Sequence, residues 1–144
     1  MTSNCTTERG FSLVELLVGL TVFGILVGMS VPSFQRYSLT QRLRGTSENL
    51  VQTIHLQRSR AMATGQDVVI EFDTAAPCAW TVMSNSRSNR TKLPTGVSYA
   101  SATPTSLTLK PNGRVNTSGL VVFQNHSGIA DTVSIQLSGL ALIR

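Results

Sequence analysis

A single acidic residue, Glu15, lies near the start of an almost continuous apolar stretch. The residues from Phe11 to Val31 carry no other charged side chain. An ionised carboxylate at the centre of a membrane-spanning helix costs about 2.5–3.5 kcal/mol, and the helix dipole near the N-terminus offsets about 0.3–1 kcal/mol of that cost. The chemistry open to Glu15 is therefore charge pairing. Either the carboxylate lies at the level of lipid headgroups, or it meets a cation in an apolar environment.

The basic side chains form a second group of candidate functional residues. The interaction considered for them is charge pairing with the phosphates of double-stranded DNA. The chain has 12 Lys and Arg against 7 Asp and Glu, and a formal charge of +5. The candidate phosphate contacts are Arg87, Arg90, Lys92, Lys110, Arg114 and Arg144. They act together only if their loops share one end of a sheet; the alternative is a dispersed set of solvated cations. Few aromatic residues accompany them, so no preference for single strands is expected.

The residue types used in catalysis are present without a catalytic arrangement. His55 and His126 are expected to be solvated, and Cys78 is expected to be a half-buried, inert thiol. The chain shows no P-loop, no GxSxG motif and no clustered metal ligands. We therefore expect a protein that is not an enzyme and that uses no cofactor and no metal. Cys5 precedes the apolar stretch and is not expected to pair with Cys78.

The apolar stretch itself is predicted to be a membrane-spanning helix. From Phe11 to Val31, 21 residues rise ~31 Å as a helix, which matches the ~30 Å hydrocarbon core of a bilayer. A secretory signal peptide fits poorly, because its apolar region is shorter, is not interrupted by an acid and ends at a small-residue cleavage site. Pro32 follows directly and is expected to kink the helix without ending it, since helical patterning resumes beyond it.

The stretch RGFSLVELLVGLTVFGILVGMSVPSF resembles the class III signal of type IV prepilins and type II secretion pseudopilins. Such a signal has a polar leader ending in Gly, then Phe, an acid at the fifth position after the cut and a long apolar helix. The resemblance implies that a prepilin peptidase cuts between Gly10 and Phe11 and methylates the new Phe11 amine. It also implies that Glu15 faces the Phe11 amine of a neighbouring subunit, and Pro32 matches the helix-kinking proline of these proteins.

The resemblance further implies a protein of the bacterial inner membrane, crossing it once with its globular domain in the periplasm before entering a filament. Counting of positive charges alone favours the opposite orientation, because Arg9 precedes the span whereas Arg36, Arg42 and Arg44 follow it. We adopt the orientation of the cleavage motif, since its processing enzyme acts at the cytoplasmic face.

Beyond Pro32 the sequence predicts an amphipathic helix that extends to about Thr64, with Gly65 as its C-cap. Apolar residues at spacings of three, four or seven form its stripe, which consists of Leu39, Leu43, Leu50, Ile54 and Ala61. From Asp67 onward the apolar pattern has period two. It predicts strands in DVVIEF, AWTVM, SLTLK, LVVFQN and TVSIQLS, and a short last strand after a turn at Ser138–Gly139.

Two segments between the predicted strands are expected to be irregular. SNSRSNRTK (Ser84–Lys92) is expected to be a mobile cationic loop, and PNGR (Pro111–Arg114) to form a type I′ hairpin turn. Together the elements predict an α+β fold of type IV pilin kind. A long N-terminal helix, with a transmembrane half and an amphipathic half, packs on an antiparallel β-sheet domain. The expected divisions are a leader (1–10), a transmembrane and assembly helix (11–32) and a globular domain (33–144).

The chain from Thr46 to its end resembles the globular domain of the GspH/FimT family of minor pilins and pseudopilins. The matching segments are NLVQTIHLQRSRAMATGQDVVIEF, LTLKPNGRV and VSIQLSGLALIR. The resemblance implies other pilin or pseudopilin subunits as partners. It leaves three functions open: a minor pilin at or near the tip of a type IV pilus, the equivalent pseudopilin of a type II secretion system, and a DNA receptor for natural transformation.

The DNA-receptor interpretation depends on the C-terminal segment GLALIR. Some FimT-like minor pilins bind DNA through a Gly-Arg-x-Arg stretch at the corresponding place. Here Gly139 is present, Leu140 replaces the first arginine and Arg144 is the one remaining terminal arginine. This departure weakens the interpretation. It is supported by the charge of the segment after residue 32, which holds eleven basic and five acidic residues.

Overall fold

The computed structural model describes residues 12–75, 77–84 and 87–144, with the side chains of residues 29–36 left undescribed. The chain divides into two compact units, one up to Tyr37 and the other from Ser38 to Arg144. A helix of 52 residues, α1 (Leu13–Thr64), belongs in part to each unit. The cleavage site predicted at Gly10–Phe11 lies outside the described residues.

In the first unit, α1 exposes apolar side chains around its whole circumference. Every side chain from residue 12 to residue 28 is exposed, and Leu13, Val18 and Phe23 are 77%, 56% and 66% exposed. The helical backbone continues through Pro32, so this proline does not end the helix. Within the described part of the chain, no helix has both the length and the apolar character that crossing a membrane requires. The spanning segment over residues 11–32 therefore stays a prediction.

In the second unit, α1 buries the apolar stripe that its sequence predicts. The buried members, each at most 2% exposed, are Leu43, Leu50, Ile54 and Ala61. The helix ends at Gly65, whose φ is 68° and whose N–H donates to the Ala61 carbonyl at 3.0 Å. A glycine in the left-handed region after the last turn is a common helix terminator, because it carries no Cβ to clash. The predicted C-cap is confirmed.

Among the described residues, eight strands follow the helix. They are β1 (Val68–Asp73), β2 (Ala79–Ser84), β3 (Arg87–Lys92), β4 (Val97–Thr103), β5 (Ser106–Leu109), β6 (Gly119–Asn125), β7 (Ala130–Ile135) and β8 (Ala141–Ile143). The strands form two antiparallel sheets, in the orders β3-β2-β1-β5 and β4-β6-β7-β8. The antiparallel α+β architecture is as predicted; its division into two four-stranded sheets is a finding of the structure.

β3 lies inside the segment that was expected to be a mobile loop, so that prediction was wrong for Arg87–Lys92. The strand pairs with β2 along its length, from Ala79↔Lys92 to Ser84↔Arg87. Its sequence, RSNRTK, contains no apolar residue, and five of its six side chains are exposed. No alternation could therefore signal it. The strand forms because its backbone hydrogen-bonds to β2.

The turn after β5 also differs from its prediction. The Gly113 N–H donates to the Lys110 carbonyl at 2.9 Å, which makes Pro111 and Asn112 the central residues of the turn. A type I′ turn needs positive φ at its first central residue, whereas the proline ring holds φ near −65°. The left-handed residue is instead Gly113, with φ of 76°. The type I′ assignment was wrong.

An aromatic cluster joins the two sheets. Phe72 and Trp80 come from the first sheet, and Tyr99 and Phe123 from the second, with ring centroids 5.1–6.4 Å apart. The Tyr99 hydroxyl donates to the Ala79 carbonyl at 3.2 Å and so ties β4 to β2. Burial raises the pKa of Tyr99 well above its usual range. The hydroxyl therefore stays protonated and keeps donating.

The predicted turn before β8 is confirmed, and it packs closely on the turn after β5. Gly139 has φ of 77°, and its N–H donates to the Gln136 carbonyl at 2.8 Å. A Cβ at Gly139 would collide with the Gly113 carbonyl oxygen. That same oxygen accepts a hydrogen bond from Arg58 Nε at 2.8 Å. The missing side chain at Gly139 thus permits a three-way contact between α1 and two turns.

We predict that Gly139→Ala destabilises the protein more than Gly65→Ala. Open space surrounds Gly65, so alanine there adds only left-handed backbone strain of about 1–2 kcal/mol. At Gly139 the same strain is joined by steric overlap with Gly113, which adds about 1–3 kcal/mol. Urea denaturation of both variants measures the free energies of unfolding. Equal losses would contradict the close approach of the two turns.

Candidate functional site

Glu15 lies in the first turn of α1 with its side chain exposed. Backbone N–H groups without a helical partner point out of this turn, and together with the helix dipole they favour a negative charge there. Among the described residues, the Glu15 carboxylate has no hydrogen-bond or ion-pair partner. Its neighbours Val14 and Leu16 are apolar and 66% and 67% exposed. Glu15 is therefore a carboxylate on an apolar helical surface that has no partner within residues 12–75, 77–84 and 87–144.

The structure separates the residues expected to contact phosphates. Three lie on β3 and two flank the turn after β5; they are Arg87, Arg90 and Lys92, and Lys110 and Arg114. β3 and β5 are the opposite edges of the first sheet, ~14 Å apart at ~4.8 Å per strand. Arg144 follows β8 in the second sheet. By strand register, Arg87, Lys110 and Arg114 lie at one end of the first sheet and Lys92 at its other end, so only part of the expected grouping is found.

Arg90 is also engaged within the domain. Its guanidinium lies 2.7 Å from the Asp73 carboxylate, in an ion pair whose side chains are 47% and 43% exposed. It also donates to the Pro77 carbonyl at 3.4 Å. An ion pair this exposed contributes little stability, but it does balance the charge that Arg90 would offer to a phosphate.

The two histidines and the described cysteine, which were considered for catalysis, either contact backbone carbonyls or face solvent. His55 was expected to be solvated, but it is half-buried, and its Nε2 lies 3.3 Å from the carbonyl oxygen of Ala141 in β8. Cys78 is half-buried, as predicted, and its Sγ donates to the Thr74 carbonyl at 3.5 Å. His126 is exposed in the turn between β6 and β7.

Two polar clefts, which the sequence did not predict, lie between α1 and β3. The larger part has a cavity volume of about 930 Å³ and is lined by Gln57, Arg60, Thr64, Gln66, Val82, Ser84, Arg87, Ser88 and Asn89. The smaller part, of about 220 Å³, is lined by Arg42, Gly45, Thr46, Asn49, Trp80, Thr91, Lys92 and Pro94. Both parts have one wall on α1 and one on β3. We call them together the β3 groove.

One signal in the sequence could have pointed to this groove. Gln57 lies three residues after Ile54 and four before Ala61, and so falls on the buried stripe of α1. It is 8% exposed. A polar side chain at a position where the helical period requires burial is uncommon and needs a partner. Arg60, one turn from Gln57, was not among the predicted site residues either.

Two family models match the chain. Residues 5–31 match the prokaryotic N-terminal methylation motif. Residues 46–139 match the type II transport protein GspH. Two fimbrial proteins of Pseudomonas aeruginosa are each 32% identical to the chain over 63 residues, which is 43% of this chain and 40% of theirs. The chain thus aligns with less than half the length of these relatives.

Two solved structures share the fold. Both are of the minor pseudopilin EpsH from the type II secretion system of Vibrio cholerae, with TM-scores of 0.56 and 0.55 at 16% and 14% identity. Each match covers 72% of this chain and, respectively, 96% and 93% of the EpsH chain. The GspH model covers well over half of the sequence, and its segment contains the strands from β1 to β7. The chain belongs to the GspH family.

Proposed function

We propose that the chain is a minor subunit of a type IV pilus, placed at or near the tip, where it helps assembly. The observation that carries this proposal is the apolar surface over residues 12–28, exposed on all sides of α1. An exposed apolar surface of this extent marks contact with protein or lipid. A filament core of packed helices provides such contacts on every side. The methylation motif and the fimbrial relatives support the proposal.

The N-terminus supplies the charge that Glu15 lacks. A prepilin peptidase removes the leader after Gly10 and methylates the Phe11 amine, while the subunit is held in the inner membrane with its globular domain in the periplasm. In the filament, the Phe11 amine of one subunit pairs with Glu15 of its neighbour. Within an apolar core few other groups compete for either charge, so the pair sets the axial register between subunits.

A second candidate function is that of a minor pseudopilin in a type II secretion system. It is favoured by the likeness to EpsH, which covers nearly the whole of that chain. The same helix, the same processing and the same Glu15 pairing serve this function equally well. The two candidates differ only in the machine that the subunit joins.

DNA binding in natural transformation is a third candidate. The positive charge of the segment after residue 32 supports it. However, its six candidate residues lie in three places, and Arg90 is paired with Asp73. Each place offers fewer phosphate contacts than the grouped set would, so we rank this function last.

Processing at Gly10–Phe11 is the first prediction of this proposal. Mass spectrometry of the protein from cells with an active prepilin peptidase should show loss of residues 1–10 and a methyl group on the Phe11 amine. Protein from cells that lack the peptidase is the control and should keep the leader. An intact leader in both strains would contradict the processing site and with it the filament assignment.

Glu15→Ala should leave membrane insertion intact and impair entry into filaments. The variant removes a charge that is costly in lipid, but it leaves the Phe11 amine of the neighbouring subunit unpaired, at about 3–5 kcal/mol. Immunoblots of membrane and sheared-filament fractions measure both steps. Glu48→Ala is a matched control, since Glu48 is also an exposed glutamate of α1 but lies in the second unit. Normal incorporation of Glu15→Ala would show that Glu15 has no pairing role.

Deletion of the gene separates the first two candidates. In the source bacterium we expect fewer surface pili, restored by the wild-type gene, and unchanged export of a type II secretion substrate. Electron microscopy of pili and an assay of the exported enzyme give the two measurements. Loss of export with normal piliation would instead assign the subunit to the secretion system.

A further inference from the structure

Two polar atoms beside the β3 groove are buried without a hydrogen-bond partner among the described residues. They are Gln57 Oε1, an acceptor, and Trp80 Nε1, a donor. Gln57 is 8% exposed and Trp80 is 2% exposed. Buried polar groups in proteins nearly always have partners, so each orphan atom needs an explanation. Gln57 lines the larger part of the groove and Trp80 the smaller part.

β3, which lines both parts of the groove, also has a free edge. It is the outermost strand of the first sheet, and within the described residues no strand pairs with its outer side. The Leu93 N–H donates inward to the Cys78 carbonyl at 3.0 Å. Because N–H and C=O groups alternate between the two sides of a strand, those of Ser88, Arg90 and Lys92 face outward. Such an edge is a template for another extended chain.

The charge of the groove is positive. Arg60 and Arg87 line its larger part, and Arg42 and Lys92 line its smaller part. Neither part has an aspartate or glutamate among its lining residues. Arg60 and Arg87 are both exposed and have no ion-pair partner among the described residues. The occupant that complements this groove is therefore acidic.

We infer that the β3 groove binds an extended acidic segment of a partner protein, which lies along the outer edge of β3. Its amide groups bond to the outward N–H and C=O groups of β3, and its carboxylates meet Arg60 and Arg87. The six residues of β3 set its length, about 20 Å at ~3.3 Å per residue. This site lies within the second unit and goes beyond the proposed function, because it requires neither leader removal nor filament entry.

The free edge of β3 favours a peptide over a nucleic acid. Its outward N–H groups need acceptors and its outward C=O groups need donors, and the amide groups of a peptide supply both. A phosphate backbone offers acceptors alone, so it leaves the outward C=O groups of β3 unpaired. Strand addition to a sheet edge is a common mode of peptide recognition, in which backbone bonds give affinity and side chains give specificity.

The test uses the full-length protein in detergent micelles and a fluorescein-labelled peptide with blocked ends, TEVDVT. Fluorescence anisotropy should show saturable binding, accompanied by a change in the emission of Trp80, the one tryptophan of the chain. A peptide with lysines in place of the acids, TKVKVT, should not bind. N-methylation of alternate amides in TEVDVT should weaken binding by about tenfold or more, because it removes the edge hydrogen bonds.

Charge reversal in the groove provides the decisive variant. Arg60→Glu with Arg87→Glu should weaken TEVDVT binding by about tenfold or more and should allow TKVKVT to bind. The matched control is Arg114→Glu with Arg144→Glu, which makes the same change of charge outside the groove and should alter binding by less than about twofold. Circular dichroism verifies that both double variants are folded.

Gln57→Leu separates binding from folding. It removes a buried acceptor that has no partner among the described residues, so the thermal midpoint should rise, while TEVDVT binding should change by less than about twofold because the outer edge of β3 and the two arginines are untouched. Absence of peptide binding, or binding that is insensitive to both N-methylation and charge reversal, would overturn the inference. So would a DNA duplex that binds the wild type and loses binding in the Arg60→Glu, Arg87→Glu variant while the peptide does not bind, since the groove would then be a nucleic-acid site.

Discussion

Burial of one stripe of α1 is the interaction on which the globular unit depends. Leu43, Leu50, Ile54 and Ala61 are almost fully excluded from solvent and belong to one core with strands of both sheets. Neither sheet could bury its apolar face without this core, since a single sheet exposes one face to water unless another element covers it. The aromatic contacts and the Tyr99–Ala79 hydrogen bond then join the sheets within that core. The edges of the sheets, where ligands can approach, are placed by this packing.

The first half of α1 obeys a different constraint. In the second unit the helix has one buried stripe, whereas over residues 12–28 it exposes apolar side chains in every direction. A helix that is apolar all round is stable only where its whole circumference is covered. Glu15 is the one charged side chain among residues 12–28, and a carboxylate so placed is retained at a cost in free energy. That cost is offset only if a cation comes to it, and in the proposed filament this cation is the methylated amine of a neighbouring subunit.

The sequence predicted those elements whose apolar pattern is itself the cause of their burial. The stripe of α1 and the strands β1, β2, β5, β6 and β7 have this property, whereas Gly65 was predicted from its backbone freedom at a helix end. β4 also has it, with Val97 and Tyr99 buried at alternate positions, but it was not predicted. β3 has no such apolar pattern, since RSNRTK contains no apolar residue. The strand forms only through its backbone pairing with β2. The Asn112–Gly113 pair predicted the wrong turn after β5, because Pro111, whose ring fixes φ, occupies the first central position of that turn. The positions of the basic residues depend on strand order, and a period of two contains no information about strand order.

The fold itself requires a glycine at position 139, whether or not the segment around it binds DNA. In the resemblance to DNA-binding relatives it is the glycine of a Gly-Arg-x-Arg stretch. In this structure its left-handed φ and its contact with the Gly113 carbonyl already require glycine. Its presence therefore carries no information about DNA, whereas Leu140, 38% exposed, occupies the place of a phosphate-binding arginine. Positive charge without an ion-pair partner among the described residues lies instead in the β3 groove, on Arg60 and Arg87, beside the free edge of β3. This positive charge lies beside backbone groups that can both donate and accept hydrogen bonds, a combination that suits a peptide better than a phosphate backbone.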